Sequence, residues 1–310
     1  MTAAWVASGV RARAMSRRRL GRVAIDSLSR LPDVDSAVDA LVSTPYGHDV
    51  TLGLSLAEAQ HAVSATTLWH IRVLAGWVPR GDAQFLRVLA GGFEIANVDE
   101  ALRGLLGRTT EPAYRLGSLA TAWHALRSAS TVAEIRDGLS RSAWGDPGSD
   151  SPETIRLTMR LTWAERVAAT IPQSRDWAAG AAALIVAREV VVGGRHLDPL
   201  QTRITEGVLG IRWTASTSLE EYQSLLPPHA RWAVAGVTEP RELWRAEQRW
   251  WNRLETDGMT LLHKPLTGPE PTIGSVAVLA SDAWRVRAAL ELAARGGLRA
   301  DVSGVGDAVA

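Results

Sequence analysis

The strongest constraint on this chain is repetition. Three short stretches, DVDSAVDAL at 33–41, TVAEIRDGL at 131–139 and TSLEEYQSL at 217–225, share one start-and-stop pattern. Each opens on a residue suited to a helix N-cap (Asp33, Thr131, Thr217), with a small residue seven positions on and Leu eight positions on. A side-chain oxygen at that first position accepts from a backbone N–H of the first turn, which has no partner within the helix. Glu134 and Glu220 follow Thr131 and Thr217 by three residues, the spacing of a capping box. After the first copy comes STPYG, 43–47, and after the second RSAWG, 141–145, so Tyr46 aligns with Trp144. A second pattern alternates with the first. Glu94, Asp176 and Asp282 each have Ala seven and Leu eight residues later. Capped helix then acid-started helix occurs three times: 33 then 94, 131 then 176, 217 then 282. That order predicts a helical unit of roughly one hundred residues written three times, with subdomains at 1–107, 108–210 and 211–298 and a frayed tail at 299–310.

Almost every segment reads as helix. Ala, Leu, Arg and Glu dominate, and alternating β-branched runs are scarce. The most strand-like stretch, LIVAREVVVGG at 184–194, is also long enough for a buried helix ending at Gly193. In PRELWRAEQRWWNRLETDG, 240–258, Leu243, Trp244, Trp250, Trp251 and Leu254 form a stripe with Glu247 inside it. Thr238 is suited to cap that helix and Pro240 to open its first turn. Loops are marked at 142–153, 225–230 and 264–271.

Charge is unevenly placed. Net charge is +1, yet residues 1–30 carry +6 and the rest −5. The Arg-rich start reads in three ways: a targeting segment, a surface for nucleic acid or anionic lipid, or the polar face of a packed first helix. The helical order of Trp5, Val6, Val10, Met15 and Leu20 favours the last, with those residues inside. No apolar run is long enough for a membrane span.

The sequence proposes no reactive site. The 310 residues include no Cys, which excludes disulfides and thiolate zinc sites. The sole lysine, Lys264, precedes Pro265, so no Gly-Lys-Ser/Thr phosphate loop exists. Glu58 and His61 make one E-x-x-H, but a di-metal carboxylate bundle needs two such pairs. They read as a solvated helix face, and His48-Asp49 as loop chemistry at a helix end. No catalytic residue, metal or cofactor is expected.

The strings WVASGVRARAMSRRRL at 5–20, LVSTPYGHDV at 41–50 and FEIANVDEALRGLL at 93–106 resemble the C subunit of the V-type/A-type rotary ATPases, whose eukaryotic homologue is the d subunit. The matching positions are Trp5, Arg11, Arg13, Ala14 and Met15 in the Arg-rich helix, and Leu41, Thr44 and Tyr46 in the turn. Glu94, Asn97 and Val98 match the acid-x-x-Asn helix. Asp282 and Arg285 stand in what looks like the family's last helix pair. The resemblance implies an all-α funnel of three similar subdomains around a pseudo-threefold axis. It implies a non-catalytic rotor part on the cytoplasmic face, with the central rotor shaft and the membrane proteolipid ring as partners. Glu94 and Asn97 are expected to hold backbone groups of the adjacent subdomain, and Arg17, Arg18 and Arg19 to meet the ring or anionic lipid. Two rivals stand beside it. A helical DNA-binding regulator with a basic arm lacks a convincing recognition helix after residue 30. An all-α enzyme with a Trp-lined pocket would need a convergent titratable cluster.

Overall fold

The computed structural model describes residues 2–79 and 81–297; the tail expected to fray, 299–310, lies outside them. The described residues form helices and turns without a strand. The chain begins with α1 (Thr2–Arg17), α2 (Arg22–Leu28), α3 (Val34–Val42) and α4 (Leu56–Ala75). It continues through α5 (Gln84–Leu89), α6 (Gly91–Leu105), α7 (Trp123–Leu126), α8 (Val132–Ser140) and α9 (Pro152–Thr170). Then come α10 (Arg175–Val186), α11 (Pro199–Leu209), α12 (Leu219–Leu225) and α13 (Pro228–Val234), and last α14 (Leu243–Leu262) and α15 (Glu270–Ala294). Two compact units result. One takes the described residues of 1–83 and 252–310, the other residues 84–251.

In the first unit α15 packs on α1, α2, α3 and α4. Its core joins Val38, Leu41 and Val63 to Val286, Ala289 and Leu290. In the second unit one core gathers Ile95, Val98 and Leu102 of α6 with Ile135 and Leu139 of α8 and Ile155 of α9. Another core gathers Ala182, Ala183 and Val186 of α10 with Tyr222, Leu226 and Val234. Each acid-started helix therefore packs on the capped helix that follows it in the chain. The last of them, α15, has none after it and packs on the first, α3.

The short helices start as their sequences dictate, with one shift of register. Asp33 accepts from Ser36 N at 2.8 Å and Thr131 from Glu134 N at 3.2 Å. In the third copy the cap is Ser218, not Thr217. Ser218 Oγ accepts from Glu221 N at 3.2 Å, and Glu221 reaches back to Thr217 N at 2.8 Å. Sequence spacing put the pair at Thr217 and Glu220. The shift brings Tyr222 and Leu226 into the core, where Ile135 and Leu139 sit in the second copy. Thr238 likewise caps nothing. It donates to Glu242, ahead of a 3-10 turn at Pro240–Glu242.

One open reading is resolved and one expectation changes. The 184–194 stretch is helical, running from α10 into a π-turn at Ala187–Val192 that ends at Gly193. On α1 the inward face is not Val6 and Val10, which are 39% and 54% exposed. Ser8, Gly9, Ala12, Met15 and Ser16 are buried instead. Small residues let α1 approach α15 closely, and the hydroxyls pair across the contact: Ser16 with Ser275 at 2.9 Å, and Ser275 with Ala12 O at 3.1 Å. Helical spacing alone could not choose between a stripe of valines and a stripe of small residues.

The crossing of α14 and α15 is closer still. A Cβ on Gly274 would stand 2.5 Å from the Gly258 carbonyl oxygen. The obstacle is backbone, so no rotamer relieves it. Gly274→Ala is expected to cost about 1–3 kcal/mol, read as a lower midpoint in urea unfolding.

Candidate functional site

Two of the three repeat acids, Glu94 and Asp282, are held in the interior, though Asp282 stands at the middle of α15 and not at its start as the spacing suggested. Glu94, in the first turn of α6, is 1% exposed. It faces the start of α7, whose first N–H groups have no partner within that helix. Its carboxylate accepts from Thr121 N at 3.0 Å, Ala122 N at 2.6 Å and Trp123 N at 2.5 Å. A fourth donor is the indole of Trp144, whose Nε1 lies 3.1 Å from Oε2. The Arg166 guanidinium stacks over the same indole, 4.9 Å from the ring centre. One carboxylate thus replaces water for four donors, and such bonds to a charged acceptor contribute about 1.5–3 kcal/mol each. One turn on, Asn97 (1% exposed) pairs with the backbone of Tyr114 in both directions, accepting from its N at 2.6 Å and donating to its O at 3.0 Å.

Asp282 repeats the arrangement on α15. It is 3% exposed and accepts from Leu20 N at 3.0 Å and Gly21 N at 2.9 Å, just before α2. The Tyr46 hydroxyl donates to Asp282 at 2.8 Å, as Trp144 does to Glu94. Burial and the neighbouring carboxylate push the Tyr46 phenol well above its ordinary pKa. The alignment of Tyr46 with Trp144 has a physical basis: both follow a capped helix and both supply a donor to a buried acid. Sequence spacing revealed the alignment but not the acceptor, which is 236 positions away for Tyr46.

The remaining acid, Asp176, departs. Asp176 lies exposed in the first turn of α10 and takes no such place. Behind it come the buried residues Trp177, Ala178, Ala179 and Gly180. A Cβ on Gly180 would meet Trp232 at 2.8 Å and Trp250 at 3.0 Å. Close packing stands where the other copies have a hydrogen-bonded acid. Tyr222 donates to Ala183 O at 3.0 Å, and the buried Trp213 Nε1 finds no acceptor among the described residues.

The remaining sequence-selected residues fall in the first unit. Arg13 donates to the carbonyls of Leu262 and Lys264, both at 2.8 Å. Arg11 lies 6.0 Å over the Trp77 ring. Arg17 and Arg18 are exposed, while Arg19 donates to Ser16 O at 3.0 Å. The Trp5 carbonyl accepts from Ser8 Oγ at 3.1 Å. Thr44 donates to Leu41 O at 2.6 Å and accepts from Tyr46 N, fixing the turn that aims Tyr46. Arg285 pairs with Glu255 at 2.8 Å. Glu58 caps α4 with Ser55.

Sequence reading passed over His70. Burial, with positive charge from His48, Arg18 and Arg11 outweighing Asp49, pushes its pKa down to about 4. His48 stacks on Trp69 at 4.2 Å and pairs with Asp49 at 2.8 Å, so the cluster is crowded.

Residues 10–159 match the family model described as ATP synthase (C/AC39) subunit. That span includes α2 to α8, Tyr46, Glu94, Asn97 and Trp144. None of the curated proteins matches the chain.

Two measurements check this geometry. Glu94→Ala leaves three backbone donors, one buried and two part-buried, and a buried indole without their acceptor, so it is expected to cost about 3 kcal/mol or more. Tyr46→Phe removes a single bond and is expected to cost about 1–2 kcal/mol. Paired urea melts should preserve that order. The second concerns acid. Because His70 binds its proton less readily folded than unfolded, its contribution is complete above pH 6.5 and falls as pH drops toward 4. His70→Asn should flatten the stability profile over that window, relative to the parent chain.

Proposed function

We propose, on the premise that this chain belongs to the ATP synthase (C/AC39) subunit family, that it is a non-catalytic rotor part of a V/A-type rotary ATPase. In this reading it is a socket. One side receives the tip of the central shaft and the other rests on the membrane proteolipid ring at the cytoplasmic face. The family match carries the reading. The three sequence units, 1–107, 108–210 and 211–298, each supply one capped helix, and they close as a funnel around a pseudo-threefold axis.

The physical demand on such a part is stiffness. Torque must pass through it without being lost in bending, so its helix starts have to be tied to the body rather than left to fray. Buried carboxylates gripping backbone N–H groups meet that demand, because releasing one exposes several donors at once. Glu94, Asn97 and Asp282 are then parts of a frame, with Tyr46 and Thr44 setting one of its joints. Arg13 and Arg285 brace the same frame. Arg17, Arg18 and Arg19 would meet anionic lipid or the ring. No described helix is long and apolar enough to cross a membrane.

Co-expression with candidate shaft proteins, followed by native mass spectrometry, tests the reading. A stable one-to-one assembly with the shaft is expected. A lone monomer that takes up neither shaft nor ring proteins would overturn it.

A further inference from the structure

The second unit contains a cavity of about 490 Å³. Its wall carries four guanidiniums, Arg156, Arg160, Arg188 and Arg195, with Glu153 and Glu189 among them. The arginines come from three places. Arg156 and Arg160 are one turn apart on α9, Arg188 sits in the π-turn after α10, and Arg195 lies beyond the Gly193-Gly194 bend. A π-turn inserts an extra residue into helical register and often marks a functional position. The bend folds Arg195 back, so that its N–H donates to Glu189 O at 3.0 Å and its Nη1 to Glu189 Oε2 at 3.2 Å.

Carboxylates hold these guanidiniums in place. Asp99 lies 3.2 Å from Arg156 Nε and 3.3 Å from Arg160 Nη2, and Glu247 lies 3.2 Å from Arg188 Nη2. Arg195 also reaches Glu153 at 3.4 Å. Arg156 and Arg195 are only 24% and 27% exposed. Each guanidinium has five N–H donors in a rigid fork, and the pairs just named use one or two of them. The other N–H groups take no part in these pairs. The four guanidiniums are balanced by four carboxylates, Asp99, Glu153, Glu189 and Glu247, so an incoming anion has to outcompete single carboxylates for the forks.

Beside it lies a smaller cavity of about 210 Å³ that shares Arg160, Arg188 and Glu189 and is walled by Leu184, Trp250 and Trp251. The two indoles meet edge to face at 4.8 Å, and Trp250 Nε1 is anchored on Trp177 O at 2.8 Å.

We propose that the arginine cavity is a binding site for an oligophosphate anion. Forked guanidiniums match phosphate oxygens bidentately, and several converging on one hollow select a multiply charged group over a single carboxylate. The adjoining indole wall suits a flat ring carried by the same ligand. Two sources share this chemistry, inorganic polyphosphate and a nucleoside polyphosphate.

The test is isothermal titration of the purified full-length chain with tripolyphosphate and, separately, with Mg-free ATP at low salt. One saturable site is expected. Arg188→Gln, on a largely exposed side chain, should weaken binding about five-fold. The pair Arg156→Gln with Arg195→Gln should weaken it about ten-fold or more, with circular dichroism verifying that the helices persist. Arg30→Gln with Arg72→Gln, both exposed and in the other unit, should leave affinity unchanged. If ATP binds more tightly than tripolyphosphate and Trp251→Ala removes the difference, the source is a nucleotide; equal affinities assign inorganic polyphosphate. The absence of saturable heat up to about 5 mM of either probe, that is binding weaker than about −3 kcal/mol, would overturn the site. So would equal losses in the Arg30/Arg72 variant and the cavity variants, since that is what diffuse charge attraction gives.

Discussion

The structure depends on a buried carboxylate that accepts backbone N–H groups from a helix it does not belong to. A short helix such as α7, four residues long, has no intrahelical partner for its first N–H groups and too few bonds of its own to persist. Glu94 supplies the missing acceptors from another element, and Trp144 closes its remaining face. Asp282 does the same for the segment before α2, with Tyr46 in the place of the indole. In both cases one side chain ties together an acid helix, a short helix start and the turn after a capped helix. Local structure and tertiary packing therefore form together. The cost of removing the acid exceeds one bond, because every donor it served is left buried.

Where the acid is missing, different physics takes over. Around α10 the interior is Ala and Gly, and the gain comes from close approach of backbones and indoles instead of a shared acceptor. The same solution recurs where Gly258 faces Gly274 and where the hydroxyls of α1 face α15. Small residues are unforgiving of added volume. Buried acids are unforgiving of lost charge. The three places thus differ in the kind of interaction that closes them, while each has a capped helix beside it.

Much of this was legible in the residues. The all-helical class follows from composition and from the scarcity of alternating β-branched runs. The caps at Asp33 and Thr131, the acids at 94 and 282, and the alignment of Tyr46 with Trp144 stand in the sequence as spacing. Other features were hidden because spacing does not encode direction in space. Asp176 shares the spacing of the other acids but faces solvent. Thr217 and Ser218 are both good caps, and only the burial of Tyr222 and Leu226 selects the second. The valines of α1 sit at helical spacing, yet its serines are buried. The arginine cavity is assembled from 156 to 195 around a π-turn, an irregularity no periodic pattern announces. His70 becomes a poor base only through its neighbours.

Residues 10–159 match the ATP synthase (C/AC39) subunit family model, and that span holds Glu94 with its partners Thr121, Ala122, Trp123 and Trp144, so the buried-acid contact is the claim to test. The most direct measurement is amide hydrogen exchange, resolved at Thr121, Ala122 and Trp123 and at Leu20 and Gly21. These sit at helix starts that, without the acids, would exchange within seconds. The account predicts protection close to that of the Leu102 and Leu290 amides in the core. Exchange as fast as in the exposed turn at Thr51–Gly53 would contradict it, since Glu94 and Asp282 would then not be holding those groups in solution.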